Sequence, residues 1–528
     1  MFKPVPTQID FVAQEHEILR FWDKTQAFRK LQALRADAPR WSFIDGPITA
    51  NNPMGVHHGW GRTYKDLFHR YQAMRGFQTR YQNGFDCQGL WVEVNVERDK
   101  GFKTKRDIEA FGLAEFVVLC KQRVLDFAAV QTEQSIRLGY WMDWNDPALL
   151  RLLGRLLGED PSQEIALEGP LGPLQGSVES LVGRLGMPEL GGSYFTFSDE
   201  NNYTIWSALK SCHARGWLYK GTDVMPWCSR CGTGLSQHEI VTEGYQELSH
   251  PSITLRFPLV DRAGESLLVW TTTPWTLTSN VAAAVGPDLD YVAVRQGDER
   301  LYLSRGTLHM LRGPYQVEAE LKGRQMVGWK YRGPFDELPL QIARGGPQAH
   351  QVIEWDQVGE EEGTGIVHIA PGCGAEDFQL SKLHGLPVLA PLDEGGVFVD
   401  GFGWLTGQHV HHVAPAIFED LQSKGLSYRV EDYTHRYPVC WRCGDELVFR
   451  LVDEWFISMG RQLDKPYEQV TDEEKRQNLR YQIMEVVINE TAWYPSFGYE
   501  RELDWLRNMS DWMISKKRYW GLALPIYE

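Results

Sequence analysis

Two Cys-x-x-Cys-Gly turns lie far apart in the chain, and each offers two thiolates that could bind a metal ion. The first turn contains Cys228 and Cys231, and the second contains Cys440 and Cys443. Two thiolates at this spacing supply half of a tetrahedral zinc shell, so the two turns together predict one four-cysteine Zn²⁺ site. A redox-active pair is the alternative for each turn, but two nearly identical copies favour the metal. A shared ion would bring the two ends of the intervening segment side by side.

A glycine- and proline-rich loop at residues 46–53 leads into a predicted helix that begins near His57 and His58. Backbone amides at a helix N-terminus and nearby imidazoles can stabilise charge that develops on a transferring phosphate group. The same residues are also compatible with a polar loop and two surface histidines, because paired histidines have no specific phosphate code. The loop is therefore a candidate phosphate site.

The carboxylate of Asp86 lies at the end of the second predicted strand, and Gly89 and Glu93 follow it in the sequence. Carboxylates at the ends of strands in α/β sheets face the crevice where ligands bind, so Asp86 is a candidate partner for the ammonium group of an amino acid. The alternative role for this aspartate is a helix N-cap.

An α/β scaffold has to position these side chains. Helical spacing at residues 9–34, a short buried strand at 41–45, a helix from about residue 57 and a strand at 76–86 predict a β-loop-helix-β unit of nucleotide-binding type. Residues 106–137 have a helical pattern again. The unit predicted here would place the phosphate loop and Asp86 at one edge of the sheet.

The rest of the chain changes character several times. Residues 145–192 contain Leu/Gly-rich pieces and a hairpin-like segment at 168–173, and we interpret them as an inserted subdomain. Residues 252–317 and 341–413 are rich in β-branched residues and turn signals, which predicts a mostly β domain. Helical, Trp-rich sequence returns after Asp453.

Composition narrows the class of protein. A chain of 528 residues is too long for one core and predicts two to four domains. The net charge of -16 argues against bulk attraction to a polyanion, although a local basic face can still bind RNA. The longest apolar stretches are short and broken by charge, so we expect no membrane association and a cytoplasmic protein.

A set of residues in one order resembles the signature of class I aminoacyl-tRNA synthetases for isoleucine, valine and leucine: Pro47, Ala50-Asn51, His58, Lys65-Asp66 and Gly84-x-Asp86-x-x-Gly89-Leu90-x-Val92-Glu93. The family's His-Ile-Gly-His motif aligns with residues 55–58, where His58 keeps the last histidine and His57 replaces the glycine. The resemblance implies that His57, His58 and Lys65 act on the phosphates of ATP. Residues 511–521 resemble the segment that returns the chain to the catalytic sheet. The implied amino-acid and ATP pocket consists of Pro47, Ala50, Asn51, Gly55, Asp86, Gly89, Glu93 and Trp512.

A threonine-rich segment between the two cysteine turns would by itself predict only a sheet surface. Together with residues 363–377, its Trp-Thr-Thr-Thr-Pro-Trp-Thr sequence resembles the editing site of the isoleucine enzymes. Valine and leucine enzymes usually carry Thr-Thr-Arg-Pro at this place. The resemblance implies that the hydroxyls of Thr271, Thr272 and Thr273 position an ester, that Asp377 engages the ammonium group, and that His368 forms a wall of the pocket.

The resemblance implies a Rossmann-type α/β catalytic domain, split by a β-rich editing insertion with a zinc-binding root. We expect residues 1–144 to form the first half of the catalytic domain, 145–192 the inserted subdomain, and 193–245 a helical connector with the first cysteine turn. Residues 246–430 would form the editing domain, 431–452 the second cysteine turn, and 453–528 the return to the catalytic domain.

The implied function is ATP-dependent attachment of isoleucine to its tRNA, with Mg²⁺ accompanying ATP and with hydrolysis of mischarged valine. We expect a monomeric N-terminal half that ends before the family's Lys-Met-Ser-Lys-Ser loop and anticodon-binding domain, with a separate chain carrying the second half as one candidate partner. A leucine or valine enzyme is the alternative within the class. A non-catalytic RNA-binding protein derived from a synthetase is the alternative outside it.

Overall fold

The computed structural model describes residues 7–43, 46–235, 240 and 244–527. The chain forms two compact units: unit 1 comprises Met1–Arg215 and Arg518–Glu528, and unit 2 comprises Gly216–Lys517. Among the described residues, none of the helices combines the length and the apolar character that crossing a membrane requires.

Unit 1 combines short parallel strand pairs and one antiparallel hairpin with helices. Its helices are α1 (Phe11–Thr25), α2 (Ala27–Leu34), α3 (Val56–Met74), α4 (Leu90–Lys100), α5 (Lys105–Phe111), α6 (Leu113–Arg137), α7 (Pro147–Glu159), α8 (Val178–Gly183) and α9 (Asp199–Ala214). Its strands are β1 (Arg40–Ser42), β2 (Ile48–Thr49), β3 (Gln78–Arg80), β4 (Gly84–Asp86), β5 (Glu164–Gly169), β6 (Gly172–Ser177) and β7 (Tyr194–Phe195).

The predicted β-loop-helix-β order is confirmed, with α3 starting one residue before His57, but the strands differ from the prediction. The first strand ends at Ser42 and is not buried: Arg40 and Ser42 are exposed, and residues 44–45 of the predicted strand lie outside the described residues. The predicted strand at 76–86 is two strands in two sheets, because β3 pairs with β1 whereas β4 lies between β2 and β7. Between them, the backbone around Gln82 pairs with Asp143 instead.

The segment at residues 145–192 contributes to the core of unit 1. Leucines at positions 150, 153 and 157 fall on one face of α7, as the spacing of an amphipathic helix requires. They are fully buried in the same cluster as Val124 and Leu125 of α6. The hairpin predicted from residues 168–173 is confirmed as the antiparallel pair β5 and β6.

Unit 2 is a larger mixed α/β unit. Its strands are β8 (Leu218–Cys228), β9 (Thr233–Gly234), β10 (Tyr245–Pro258), β11 (Glu265–Thr271), β12 (Ala282–Val285), β13 (Asp290–Gln296), β14 (Glu299–Ser304), β15 (Gln316–Lys322), β16 (Val352–Glu354), β17 (Val367–Ile369), β18 (Ser427–Pro438), β19 (Val448–Ile457) and β20 (Trp512–Met513). Its α-helices are α10 (Pro339–Arg344), α11 (Gly346–Ala349), α12 (Ala375–His384), α13 (Ala414–Ser423), α14 (Asp472–Arg476), α15 (Leu479–Asn489) and α16 (Phe497–Asn508). Short 3₁₀-helices cover Pro274–Ser279, Arg305–Met310, Gly323–Gln325, Gly403–Leu405, Val410–His412 and Tyr467–Gln469.

Three sheets organise the part of unit 2 that the structure describes. The largest has the strand order β15-β13-β14-β11-β10-β18, and smaller sheets have the orders β16-β12-β17 and β20-β19-β8-β9. The β-rich prediction is confirmed for residues 252–317. It is wrong for residues 341–413, where the only described strands are β16 and β17, of three residues each. Much of this segment instead forms helices and turns, and glycines with positive φ, such as Gly363, Gly385 and Gly401, occur in it, with Gly385 capping α12.

One buried carboxylate fixes the return of the chain to unit 1. Glu93 on α4 has 0% of its surface exposed, and its Oε1 pairs with the ammonium group of Lys105. Its Oε2 accepts the backbone N–H groups of Tyr519 (3.1 Å) and Trp520 (2.8 Å). The indole N–H of Trp520 donates to the carbonyl oxygen of Cys87 (2.7 Å), so the returning segment lies against the end of β4.

We expect Glu93→Ala to lower the free energy of unfolding by about 3 kcal/mol, because removal of one member of a buried ion pair leaves its partners unpaired. Urea unfolding followed by Trp fluorescence measures this change. Glu15→Ala is the control, since Glu15 forms an exposed pair with Arg137 that should contribute less than about 1 kcal/mol. Equal stability of the two variants would contradict an anchoring role for Glu93.

Candidate functional site

The loop before α3 and the end of β4 meet in unit 1. Parallel pairing of β2 with β4 sets Thr49 opposite Asp86. The Thr49 hydroxyl donates to Asp86 Oδ2 (3.0 Å), and the Ala50 N–H donates to the Asp86 carbonyl oxygen (2.9 Å). Burial raises the pKa of Asp86, and the Thr49 hydrogen bond partly opposes that rise. The predicted residues Ala50 and Asp86 are thus brought together, with Thr49 as a partner that sequence reasoning did not select.

Asn51 is held by helices on both sides of the loop. It is 1% exposed, and its Nδ2 donates to the carbonyl oxygen of Trp91 (3.0 Å). The Arg123 guanidinium donates to Asn51 Oδ1 (2.5 Å) and to the Asn51 carbonyl oxygen (3.0 Å). Arg123 lies 72 residues away on α6, and local sequence patterns contain no signal for this contact. These hydrogen bonds show that Asn51 helps to fix the conformation of the loop. Its contact with the amino acid or ATP stays a prediction.

The two histidines open α3. Gly55 precedes the helix, and its N–H donates to His58 Nδ1 (3.1 Å), so the neutral His58 ring carries its proton on Nε2. The ring centroids of His57 and His58 lie 3.9 Å apart. Burial lowers the pKa of His58, with smaller contributions from His57 and Arg62. At neutral pH this arrangement makes His58 an uncharged N–H donor.

Four predicted residues around these elements of unit 1 have clear positions. Gly89 precedes α4 with φ of 107°, a conformation that favours glycine. Lys65 lies on α3, with its Nζ 6.0 Å from the Phe43 ring centroid. Pro47 is half-buried in the loop before β2. A Cβ at position 55 would lie 2.9 Å from Cε1 of the exposed His57 side chain, so a larger residue there would displace that imidazole.

Trp512 belongs to unit 2. It pairs with Ile457 at the edge of the sheet that contains β19 and β20, and 54% of its surface is exposed. The Asp511 carboxylate beside it accepts hydrogen bonds from the Tyr219 hydroxyl (2.6 Å) and the Met459 N–H (2.8 Å). These contacts fix the backbone next to Trp512. The role of Trp512 in an amino-acid pocket remains a prediction.

A hydroxyl network follows β11 in unit 2. The hydroxyls of Thr271 and Thr273 lie 3.2 Å apart, and the Thr273 N–H donates to Thr271 Oγ1 (3.1 Å). Thr276, which sequence reasoning did not select, lies 3.0 Å from His368 Nε2 through its Oγ1. The network joins the threonine segment to His368 on β17, whereas Thr272 is half-buried beside it.

Asp377 lies in the first turn of α12, just after β17. Its Oδ2 accepts the Ala370 N–H (2.7 Å), which ties the carboxylate to the end of the strand that carries His368. Burial raises the pKa of Asp377 to about 6, and burial lowers the pKa of His368 to about 4. At pH 7 the site therefore combines a carboxylate, a neutral imidazole and several hydroxyls.

The structure brings the four predicted cysteines together. The sulfur atoms of Cys228, Cys231, Cys440 and Cys443 all lie within 4.8 Å of one another, and those of Cys228 and Cys443 are 3.4 Å apart. Tetrahedral zinc with Zn–S bonds of about 2.3 Å needs sulfurs about 3.8 Å apart, so this donor set fits zinc. Hydrogen bonding to Cys231 raises the pKa of Cys228, and hydrogen bonding to Cys228 lowers the pKa of Cys440.

Comparison with known proteins gives a family match over most of the chain. The family model of tRNA synthetases class I (I, L, M and V) matches residues 17–151 and 176–528. The isoleucine–tRNA ligase of Thermobifida fusca is 34% identical over 533 residues, covering 100% of this chain and 44% of that protein. The isoleucine–tRNA ligase of Thermus thermophilus is 36% identical over 535 residues, with the same shares of coverage. The chain thus spans less than half the length of these relatives.

Two solved structures show a weaker likeness. The CP1 crystal structure of GlLeuRS aligns at 13% sequence identity with a TM-score of 0.29, covering 35% of this chain and 100% of that chain. The P. knowlesi cytosolic leucyl-tRNA synthetase editing domain aligns at 10% identity with a TM-score of 0.28, covering 35% and 98%. Scores of this size support no conclusion, so the family assignment rests on the sequence matches.

We expect the purified protein to contain about one equivalent of zinc, because four clustered thiolates form one tetrahedral site. Elemental analysis measures the metal, and Cys440→Ser should reduce it strongly. Cys212→Ser is the control, since Cys212 lies outside the cluster. Two equivalents of zinc in the wild type, or a disulfide within either pair, would contradict the shared site.

Proposed function

Because the chain belongs to the class I tRNA synthetases for isoleucine, leucine, methionine and valine, we propose that it activates isoleucine with ATP for transfer to tRNA and hydrolyses mischarged valine. The observation that carries this proposal is the similarity to isoleucine–tRNA ligases along 100% of the chain. The protein covers 44% of those relatives, so the activity of a whole synthetase is itself part of the proposal.

In the proposed activation step, a carboxylate oxygen of isoleucine attacks the α-phosphorus of ATP. One P–O bond forms, the bond to the β-phosphate oxygen breaks, and pyrophosphate leaves together with its Mg²⁺. Asp86 would bind the ammonium group of isoleucine through a charge-assisted hydrogen bond. The Nε2–H of His58, fixed by the Gly55 N–H, would donate to the phosphates as negative charge redistributes, and His57 and Lys65 would assist.

The contacts around Asp86 support its proposed role. Thr49 donates to one carboxylate oxygen, which keeps the side chain in one orientation without supplying a positive charge. Burial raises the pKa of Asp86 because the carboxylate is partly removed from water. A cationic ligand beside it would replace that lost stabilisation of the negative charge and lower the pKa again. An ammonium group is the matching ligand. Isoleucine fits this description, as do the other amino acids of the family.

Editing has an energetic reason. One methylene group contributes only about 1–3 kcal/mol of discrimination in a pocket, a limit for which the isoleucine enzymes are the established illustration. A second site that hydrolyses valyl-tRNA would correct the remaining errors. Support for such a site comes from the hydroxyls of Thr271 and Thr273, the buried imidazole of His368 and the carboxylate of Asp377, which gather around the ends of β11 and β17.

We expect a stable isoleucyl-adenylate analogue with a sulfamoyl linkage to bind the protein at least about tenfold more tightly than its valyl counterpart, since one methylene is lost. Asp86→Asn should weaken binding by about tenfold or more, because the ammonium group loses its charged partner. Thermal shift titrations measure both effects. Asp37→Asn is the control, since Asp37 is exposed outside the site. Tighter binding of the leucyl or valyl analogue would refute isoleucine as the substrate.

We expect the protein to hydrolyse Val-tRNA with an activity that is full above pH 7 and falls as the pH drops through about 6, the pKa of Asp377. The reason is that only the carboxylate form, present above this pKa, attracts the ammonium group. Asp377→Asn should lower hydrolysis by about tenfold to hundredfold while retaining the oxygen that accepts the Ala370 N–H. Release of labelled valine from Val-tRNA measures the rate.

Glu376→Gln is the matched control for this experiment, because Glu376 is the exposed neighbour of Asp377 on the same helical turn. It should retain the rate at pH 7, while its pH profile should move slightly to lower pH, because the negative charge of Glu376 contributes to the raised pKa of Asp377. Hydrolysis by Asp377→Asn at the wild-type rate would show that this carboxylate does not bind the substrate.

A further inference from the structure

Thr276 determines which nitrogen of His368 carries the proton. The Thr276 hydroxyl lies 2.7 Å from the carbonyl oxygen of Thr273, and a carbonyl can only accept a hydrogen bond. The single hydroxyl hydrogen is therefore used in that bond. His368 Nε2 lies 3.0 Å from the same Thr276 Oγ1, so in this second bond the oxygen must accept and Nε2 must donate. The network assigns the Nε2–H tautomer to His368.

The opposite nitrogen of the ring is then a bare acceptor. Burial lowers the pKa of His368 to about 4, so the ring is neutral at pH 7 and Nδ1 holds a lone pair. The residue is 9% exposed, and pairing of β12 with β17 fixes its backbone opposite Ala283. In the described part of the chain, Nδ1 is buried and has no hydrogen-bond partner. Buried acceptors of this kind are normally satisfied by a water molecule or by a ligand.

We propose that Thr276 is a positioning residue for the hydrolysis of mischarged tRNA, because it holds His368 in the tautomer whose Nδ1 accepts a hydrogen bond from the attacking water. The proposal rests on the editing function proposed above. A water molecule fits this acceptor better than the ammonium group of the substrate does, since the ammonium group is matched by the charge of Asp377. His368 would orient the water without taking its proton, because the ring is a weak base. As the water oxygen bonds to the ester carbonyl carbon, the bond from that carbon to the ribose oxygen of the tRNA breaks, and the proton of the water passes to this departing oxygen, so that valine and a free ribose hydroxyl are released.

This assignment gives His368 a hydrogen-bonding role, in addition to the role that the family resemblance implied for it as a wall of the pocket. Loss of the Thr276 hydroxyl removes the acceptor for Nε2–H, and the Nδ1–H tautomer then becomes accessible. That tautomer presents a donor where the water needs an acceptor. Thr276→Val, which nearly preserves side-chain shape, separates the hydrogen bond from packing, and Thr276→Ser restores the hydroxyl.

Nitrogen NMR of ¹⁵N-histidine-labelled protein at pH 7 tests the tautomer directly. The His368 signals are those that disappear in His368→Asn. We expect the Nε2–H pattern in the wild type and in Thr276→Ser, and a substantial Nδ1–H population in Thr276→Val. Thr278→Val is the matched control, because Thr278 lies in the same 3₁₀-helix and its hydroxyl donates to the Trp275 carbonyl oxygen (2.8 Å). It should leave the pattern unchanged. An Nδ1–H pattern in the wild type, or an Nε2–H pattern retained in Thr276→Val, would overturn the proposal.

Hydrolysis of Val-tRNA by the same variants tests the positioning role. We expect Thr276→Val to lower kcat by about tenfold with little change in KM, and Thr276→Ser and Thr278→Val to remain close to the wild type. A changed tautomer with unchanged kcat would overturn the role of the water acceptor. Absence of hydrolysis by the wild type would instead refute the editing function on which that role rests, while the NMR result would still report the tautomer.

Discussion

Unit 1 depends on a carboxylate that water does not reach. Glu93 accepts hydrogen bonds from two successive backbone amides of the returning segment and pairs with Lys105 on α5. The chain leaves unit 1 after Arg215 and returns at Arg518, so about three hundred residues separate the parts that Glu93 joins. Closing so long an excursion costs conformational entropy. The buried Glu93 carboxylate, whose two oxygens both have partners, helps to offset that cost. The hydrogen bond from the Trp520 indole to the end of β4 acts at the same place.

The same principle of fixing a loop by a distant partner recurs at the sites. Arg123 on α6 holds the loop at Asn51, and Thr276 holds the ring of His368. In both cases the side chain suggested by the family resemblance is oriented by a residue to which the resemblance assigned no role. One residue thus orients the side chain, and another is the candidate for ligand contact. The orienting contacts are visible in the structure without a bound substrate.

Sequence patterns predicted the order of elements in unit 1 and the meeting of the cysteine turns, because helix N-termini, strand ends and Cys-x-x-Cys spacing are local signals. They failed where a distant partner decides the outcome. The strand predicted at residues 76–86 divides because Gln82 pairs with Asp143. The β-branched residues at 341–413 do not form long strands, because helices and turns with positive-φ glycines occupy much of that segment. The contact of His368 with Thr276 spans 92 residues and has no local signature.

The sheet with the order β20-β19-β8-β9 has a topological consequence. Leu218, near the start of unit 2, and Trp512, near its end, pair with the same residue, Ile457, from opposite sides. Neighbouring strands are about 4.8 Å apart, so the two ends lie about 10 Å from each other. A bridge of about three or four residues spans such a gap. The two chain ends of unit 2 therefore lie close together in one sheet. A short linker could join them, and new chain termini could be placed in a loop elsewhere in unit 2, without loss of the strand pairing in this sheet.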